Sequence, residues 1–247
     1  MGFAVPDAEV LIADGGLATE LEARGHDLSD ALWSARLLVD APGEIVAAHR
    51  AFFRAGAAIA TTASYQATFD GFAAHGVDRR DAGVLLRRSV ELAQAARDEL
   101  EPDGPRWVAA SIGPYGAALA DGSEYRGRYG LSVAELTAWH RPRIEVLAEA
   151  APDLFALETV PDVDEAHALV AVIAELHLPA WLSYTVDGPR TRAGQPLADA
   201  FAVASDVPEI VAVGVNCSAP HDVLPAVRIA REIVDKPVIV YPNSGEG

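Results

Sequence analysis

The stretch Ile210–Ser218, IVAVGVNCS, decides the fold class because an uninterrupted apolar run ends on three polar residues. Continuous apolar strands are typical of a parallel sheet that is covered on both faces. The same pattern recurs along the 247 residues, and all but its last occurrence precede helix-like periodicity. The predicted strands are Val10–Ala13, Ala58–Thr62, Trp107–Ile112, Leu154–Leu157, Ala180–Tyr184, Ile210–Val215 and Val238–Tyr241. The alternation predicts an α/β protein.

Helix-like segments lie between these strands. They are Pro42–Gly56, Asp78–Leu100, Ser132–Leu147, Asp164–Leu176, Leu197–Ala204 and Asp222–Val234. Ser132 and Glu135 form a capping-box pattern, and Pro142 is expected to kink or split the helix that follows. No linker-like or low-complexity tract interrupts the alternation, so we expect residues 1–247 to form one domain.

The alternation admits a doubly wound sheet or a (β/α)8 barrel. Polar or Gly-rich residues follow nearly every strand, whereas a doubly wound sheet concentrates its site at one switch point. We therefore predict a TIM (β/α)8 barrel whose strand ends share one functional rim. Seven strands and six helices leave such a barrel without its C-terminal helix and strand, so a longer natural form is expected.

The charge balance excludes several classes of partner. Lys and Arg number 19 against 36 Asp and Glu, for a net charge of -17, which argues against nucleic acid and against anionic membranes. No apolar run reaches the roughly 18 residues of a spanning helix, and no secretory signal is visible. A cytoplasmic protein is expected. The single cysteine excludes an internal disulfide.

Cys217 is the only sulfur nucleophile or soft metal ligand in the chain. Composition alone favours a buried, inert thiol, whereas its place after a strand favours a nucleophile or a metal ligand. Zinc takes three or four protein ligands, so one cysteine cannot suffice. His221 is expected to be exposed at a helix start. Phosphate-loop, dinucleotide, serine-hydrolase and zinc-protease signatures are absent from the sequence.

Two carboxylates follow apolar strands. Glu158 needs a cation, which a substrate ammonium or an internal arginine such as Arg126 or Arg128 could supply. Asp14 either holds a turn or binds a ligand, for which Gly15 allows a close backbone approach. The long segment 113–130, rich in Gly and Tyr, is expected to be ordered against a ligand or a neighbouring subunit.

At these residues the sequence resembles the homocysteine S-methyltransferase family. The matching stretches are DGGLATELEARG (14–25), TTASYQAT (61–68), SIGPYGAALADGSEYRG (111–127), LETVPDVDEA (157–166), GVNCS (214–218) and YPNSGE (241–246). The resemblance implies a (β/α)8 barrel that moves a methyl group from a sulfonium or similar donor to homocysteine, giving methionine. It also implies zinc held by three cysteines, of which Cys217 matches the first and an adjacent pair has no counterpart.

Within that resemblance, zinc would prepare the homocysteine thiolate, since only about 3% of a thiol of pKa about 8.5 is ionised at neutral pH. Cys217 is then the catalytic residue and zinc ligand, and Glu158 binds the substrate ammonium. Asp14, Gly15, Tyr65 and Asn216 are expected to bind substrate. The aromatic faces of Tyr65, Tyr115 and Tyr184 could meet a cationic sulfonium, although each is more often ordinary packing.

S-methylmethionine is the expected donor, S-adenosylmethionine is second and betaine is less favoured. Lacking two zinc ligands, the 247-residue chain is expected to be impaired. One alternative is a noncatalytic protein that binds an amino acid or a partner in a residual pocket. Another is an unrelated barrel enzyme with a phosphate loop at 243–245. The sequence does not determine the oligomeric state.

Overall fold

A computed structural model describes residues 3, 10–28, 33–101 and 104–243. Its contacts group the chain into two compact units. The first unit contains Met1–Ser111 and Arg143–Leu154, and the second contains Ile112–Pro142 and Phe155–Gly247. None of the helices in the described ranges is long and apolar enough to cross a membrane.

The first unit builds its elements on short apolar strands and amphipathic helices. In chain order they are α1 (Leu17–Ala23), α2 (Trp33–Asp40), α3 (Pro42–Arg54), β1 (Ile59–Thr61), α4 (Phe69–Ala74), α5 (Arg79–Asp98) and β2 (Trp107–Ile112). Strands β1 and β2 pair in parallel, with Ile59 opposite Trp107. Helix α5 begins after Asp78, whose carboxylate accepts the Asp81 N–H at 2.8 Å, and it buries Leu86, Val90 and Ala93.

The second unit is built on four parallel strands in the order β3–β4–β7–β8. Its elements are α6 (Tyr115–Leu119), a 3-10 turn (Ser123–Tyr125), α7 (Val133–Glu149, up to Pro142), β3 (Leu154–Val160), α8 (Val163–Leu176), β4 (Ala180–Tyr184), β5 (Val186–Asp187), β6 (Arg190–Thr191), α9 (Leu197–Ala202), β7 (Ile210–Asn216), α10 (Pro220–Ile233) and β8 (Val238–Tyr241). Strands β5 and β6 form a separate antiparallel hairpin. Every residue of β3 and β4 is buried, as expected for strands with both faces covered.

The α/β class is confirmed, and six of the seven predicted strands are present with small changes in their bounds. The predicted strand Val10–Ala13 is reduced to a parallel bridge between Ala13 and Ile59, beside which the Ala58 N–H donates to the Ile12 carbonyl at 2.7 Å. Val10 is 87% exposed and Ile12 is 58% exposed, so this apolar run is not covered as a barrel strand would be. The hairpin β5–β6 and the helices α1, α2, α4 and α6 were not predicted.

Two strands extend further than their apolar runs. Strand β3 continues to Val160 and β7 to Asn216, so Glu158 and Asn216 lie within strands rather than after them. Helix α7 continues through Pro142, so this proline does not split the helix. Its capping box is confirmed: the Ser132 N–H donates to Glu135 at 2.8 Å, and the Glu135 N–H donates to the Ser132 hydroxyl at 3.3 Å.

Candidate functional site

The carboxyl ends of the second unit's strands meet around the side-chain amide of Asn216. Its Oδ1 accepts the Thr159 N–H at 2.7 Å and also the Ser183 hydroxyl. Its Nδ2 donates to Thr159 Oγ1 at 2.7 Å and to Cys217 Sγ at 3.4 Å. Asn216, Thr159 and Ser183 are fully buried. Strands β3, β4 and β7 thus converge on one polar cluster that ends at a thiol.

Cys217 lies directly after β7 and is half-buried. Its backbone has a positive φ of 46°, which is uncommon for a residue other than glycine. The backbone N–H donates to the Tyr241 carbonyl at 3.2 Å, and the carbonyl accepts the Thr185 hydroxyl at 3.1 Å. The main chain around the sulfur is therefore held by β8 and by the residue that follows β4.

The pKa of the Cys217 thiol is raised, mainly by burial and also by the nearby Glu158 carboxylate. Hydrogen bonds from Thr159, Asn216 and Tyr125 lower this pKa but do not cancel the increase. The pKa of Tyr125 is raised to about 12, mainly by burial and secondly by Cys217. The pKa of Tyr241 is likewise raised, mainly by burial and secondly by Glu158. Glu158 is 9% exposed. A buried carboxylate, a thiol and two neutral phenols therefore share one region.

The second unit thus brings together three of the predicted site residues, Glu158, Asn216 and Cys217. The other three, Asp14, Gly15 and Tyr65, lie in the first unit. There the Asp14 carboxylate accepts the Thr61 N–H at 2.7 Å and the Thr61 hydroxyl at 2.9 Å. These bonds tie the segment after Ala13 to the end of β1.

Gly15 lies against an aromatic side chain of the first unit. A Cβ atom on Gly15 would lie 2.9 Å from the Phe52 ring, closer than real contacts allow. Tyr65 lies in the loop after β1, where its carbonyl accepts Arg143 Nη1 at 3.5 Å. Near them Thr62 and Ser64 share a 2.7 Å hydrogen bond, and the Ser64 hydroxyl donates to the Ser111 carbonyl.

Two of the three candidate tyrosines make contacts within the second unit. The Tyr184 hydroxyl donates to the Ala200 carbonyl at 2.7 Å in full burial, and the ring of Tyr115 packs edge-on against Trp139 with centroids 4.9 Å apart. Segment 113–130 is ordered against its own chain: the Tyr115 N–H donates to Glu165, and the Arg128 N–H donates to Asp162.

Sequence reasoning missed Thr159 and Tyr125 as neighbours of the thiol and Ser183 as a neighbour of the Asn216 amide. A signal existed for Thr159, which follows Glu158 at the polar end of an apolar run. Ser183 is the one serine within the predicted strand Ala180–Tyr184, where a small polar side chain in a buried strand indicates a polar partner. No periodicity marked Tyr125. His221 is 82% exposed at the start of α10, as expected.

A metal would need more ligands than this region offers. Cys217 is the only cysteine in the sequence, and across residues 10–28, 33–101 and 104–243 no three His, Cys, Asp or Glu side chains are arranged to hold a metal ion. Zinc takes three or four protein ligands. The residues in these ranges therefore do not fit a zinc ion by themselves.

Comparison with known proteins decides the family. A family profile described as homocysteine S-methyltransferase matches residues 11–247. The chain belongs to the homocysteine S-methyltransferase family. The family resemblance and the prediction of an enzyme are thereby confirmed.

Relatives of the same family are similar over most of their length. The chain is 46% identical over 244 residues to a homocysteine S-methyltransferase of Escherichia coli, covering 96% of this chain and 79% of that protein. It is 45% identical over 246 residues to homocysteine S-methyltransferase YbgG of Bacillus subtilis, covering 96% and 78%.

A solved structure of the family shows the same fold. The metallated form of the homocysteine methyltransferase MmuM from Escherichia coli superposes with a TM-score of 0.92 at 45% identity, covering 97% of this chain and 85% of that one. Its description as metallated indicates a metal in that relative.

Proposed function

We propose that this chain binds homocysteine and transfers to its sulfur a methyl group from S-methylmethionine, with S-adenosylmethionine as a second donor. The observation that supports this function is the cluster in the second unit, where the Glu158 carboxylate lies close enough to the Cys217 thiol to raise its pKa. A carboxylate beside a half-buried thiol offers a cation site next to a sulfur site, which matches an amino acid that carries both an ammonium and a thiol.

Each residue of the cluster has a proposed task. Glu158, 9% exposed at the bulged end of β3, binds the ammonium of homocysteine by a charge-assisted hydrogen bond. Asn216 holds the Cys217 side chain through its Nδ2 atom. Asp14, Gly15 and Tyr65 of the first unit remain proposed substrate-binding residues.

The reaction balances without an added oxidant or reductant. The homocysteine sulfur, as thiolate, uses a lone pair to form a bond to the methyl carbon. The bond from that carbon to the donor sulfonium breaks, and its electron pair stays on the donor sulfur, which leaves as a neutral thioether. The thiol proton passes to solvent before transfer. Binding both substrates in line supplies the proximity that such a transfer requires.

We further propose zinc as the metal, with Cys217 as one ligand. The metallated form of the Escherichia coli relative supports a metal in this family. Because a single cysteine falls short of three or four ligands, we expect the 247-residue chain to bind zinc weakly and to form methionine slowly. Tight, stoichiometric zinc together with rapid turnover would contradict this part of the proposal.

The test measures methionine formation and homocysteine binding in parallel. The chain is incubated with homocysteine, excess zinc and each of S-methylmethionine, S-adenosylmethionine and betaine, while calorimetry follows homocysteine binding. Methionine formed fastest from S-methylmethionine and lost in Cys217→Ser is the expected result. Homocysteine binding without turnover supports the noncatalytic amino-acid-binding alternative. If the chain shows no homocysteine binding and no turnover, the proposed function is wrong.

A further inference from the structure

Two neighbouring residues of the second unit share a strained backbone. Thr159 has a φ of 58° and Cys217 a φ of 46°. For a β-branched residue such as Thr, a positive φ is a true outlier. Strain of this kind persists only where the surroundings fix the backbone, and it concentrates at functional sites. Thr159 therefore needs an explanation that its packing alone does not give.

The strain at Thr159 coincides with an irregularity in the sheet. The pairing of β3 with β4 shifts register between Leu157 and Val160, so Glu158 and Thr159 form a bulge. Bulges re-aim side chains and are frequent beside active sites. Here the bulge presents both the N–H and the hydroxyl of Thr159 to the side-chain amide of Asn216.

These contacts fix which way the Asn216 amide points. A backbone N–H can only donate, so the amide atom 2.7 Å from the Thr159 nitrogen must be the oxygen. The other amide atom is then the NH2 group, whose two hydrogens reach Thr159 Oγ1 at 2.7 Å and Cys217 Sγ at 3.4 Å. With Ser183 as second donor to Oδ1, all four bonding positions of the amide are filled.

We propose that Thr159 is a positioning residue, which uses its left-handed backbone to lock the Asn216 amide so that one amide N–H always faces the Cys217 sulfur. It acts through Asn216, beside its own hydrogen bond to the Cys217 thiol, and needs no contact with substrate. The hydroxyl of Thr159 accepts from Nδ2 and still has its own hydrogen to donate. The link to methyl transfer rests on the proposed function, whereas the orientation of the sulfur does not.

The test uses the single cysteine of the chain as a reporter. A sample labelled with 13C at cysteine Cβ gives one Cys signal, and 15N labelling shows the side-chain amide of Asn216. Thr159→Val keeps the shape of the side chain but removes its hydroxyl, so both signals should move. Thr159→Ser keeps the hydroxyl and should return both signals to their original positions.

Thr185→Val is the matched control. The Thr185 hydroxyl also contacts Cys217, but it donates to the backbone carbonyl and not to the amide of Asn216. This variant should leave the Asn216 amide signals in place. If Thr159→Val is folded and leaves the Asn216 amide signals unchanged, the proposal is wrong, because the Cys217 signal also reports the hydrogen bond that Thr159 itself makes to the thiol.

A measurement on the unmodified chain covers the case in which Thr159→Val does not fold. The Asn216 amide hydrogens should show nuclear Overhauser contacts to Thr159 and to Cys217 Hβ, and their absence overturns the proposal. Any methionine formation should fall about 10- to 100-fold in Thr159→Val and recover in Thr159→Ser. If no variant forms methionine, the proposed function fails while the spectra still decide the role of Thr159.

Discussion

The Nε2 atom of His140 lies 2.9 Å from the Oε1 atom of Glu165, and neither side chain is exposed to solvent. The same Oε1 accepts the Tyr115 N–H at 2.5 Å. One buried carboxylate oxygen therefore joins α7, α8 and the start of α6. Because a buried donor that loses its acceptor keeps its full desolvation cost, this oxygen is central to the stability of the second unit.

Glu165→Ala should lower the free energy of unfolding by about 3 kcal/mol, because it removes the buried oxygen that accepts the Tyr115 N–H and contacts His140 Nε2. Denaturation in urea measures the change. Glu175→Ala is the matched control on the same helix: its partner is Arg141 of α7 at 2.6 Å, but the Glu175 side chain is 62% exposed. That surface pair should contribute less than about 1 kcal/mol. Equal losses in the two variants would contradict the central role of Glu165.

His49 should make the protein sensitive to acid. It is fully buried in α3, where neither ring nitrogen has a hydrogen-bond partner within the described ranges, and burial lowers its pKa to about 4. The unfolded chain takes up this proton near pH 6.5, whereas the folded chain does so only near pH 4. The unfolded state thus binds more protons between these values, and the stability falls by about 3 kcal/mol as the pH drops through that window.

Two measurements check this expectation. The imidazole signals of His49 should stay those of the neutral ring down to about pH 4, and His49→Leu should flatten the acid side of the stability profile. A ring that takes up its proton near pH 6.5 in the folded protein is the contrary result.

The sequence pattern predicted the site residues that lie at the ends of strands. Apolar runs that stop at Glu158 and at Asn216 indicate buried strands with polar ends, and the second unit brings these residues together as expected. The role of Thr159 could not be predicted in the same way, because it depends on a positive φ and a register shift. Neither property is visible in residue type, since Thr normally favours extended strands.

Residue type also did not determine the role of the Asp14 carboxylate in the first unit. Asp14 follows an apolar run just as Glu158 does, yet its oxygens accept from Thr61, a residue 47 positions later in the chain. A hydrogen bond over that separation depends on how β1 meets the segment after Ala13. The sequence pattern predicts where a strand ends, whereas the hydrogen-bond partner of each carboxylate depends on tertiary contacts.

Gly214→Ala should be among the most damaging small substitutions. A Cβ atom at this position of β7 would lie 1.7 Å from the Ile239 carbonyl oxygen, and both are fixed by the parallel pairing of β7 with β8. Because the obstacle is backbone, β8 must move, and we expect a loss of about 3 kcal/mol or more in urea denaturation.

Gly43→Ala is the control for that substitution. Gly43 lies in the first turn of α3 with no atom within 4 Å of the added Cβ, so alanine should be neutral or stabilise by up to about 1 kcal/mol. If Gly214→Ala is equally harmless, the close pairing of β7 and β8 at this point is wrong.

Glu158→Gln should weaken homocysteine binding about 10- to 100-fold, because it replaces a charge-assisted hydrogen bond to the ammonium with a neutral one. Calorimetry with homocysteine gives the change. Glu175→Gln, which alters an exposed carboxylate on α8, should leave the affinity unchanged.

A ligand without the ammonium separates this role from a structural one. 4-Mercaptobutanoate has the thiol and carboxylate of homocysteine but no amine, so the unmodified chain and Glu158→Gln should bind it equally. The same substitution removes a negative charge that raises the pKa of Cys217, so the thiol should react faster with iodoacetamide at pH 7. If Glu158→Gln weakens both ligands alike, Glu158 supports the fold of the site and does not bind the ammonium.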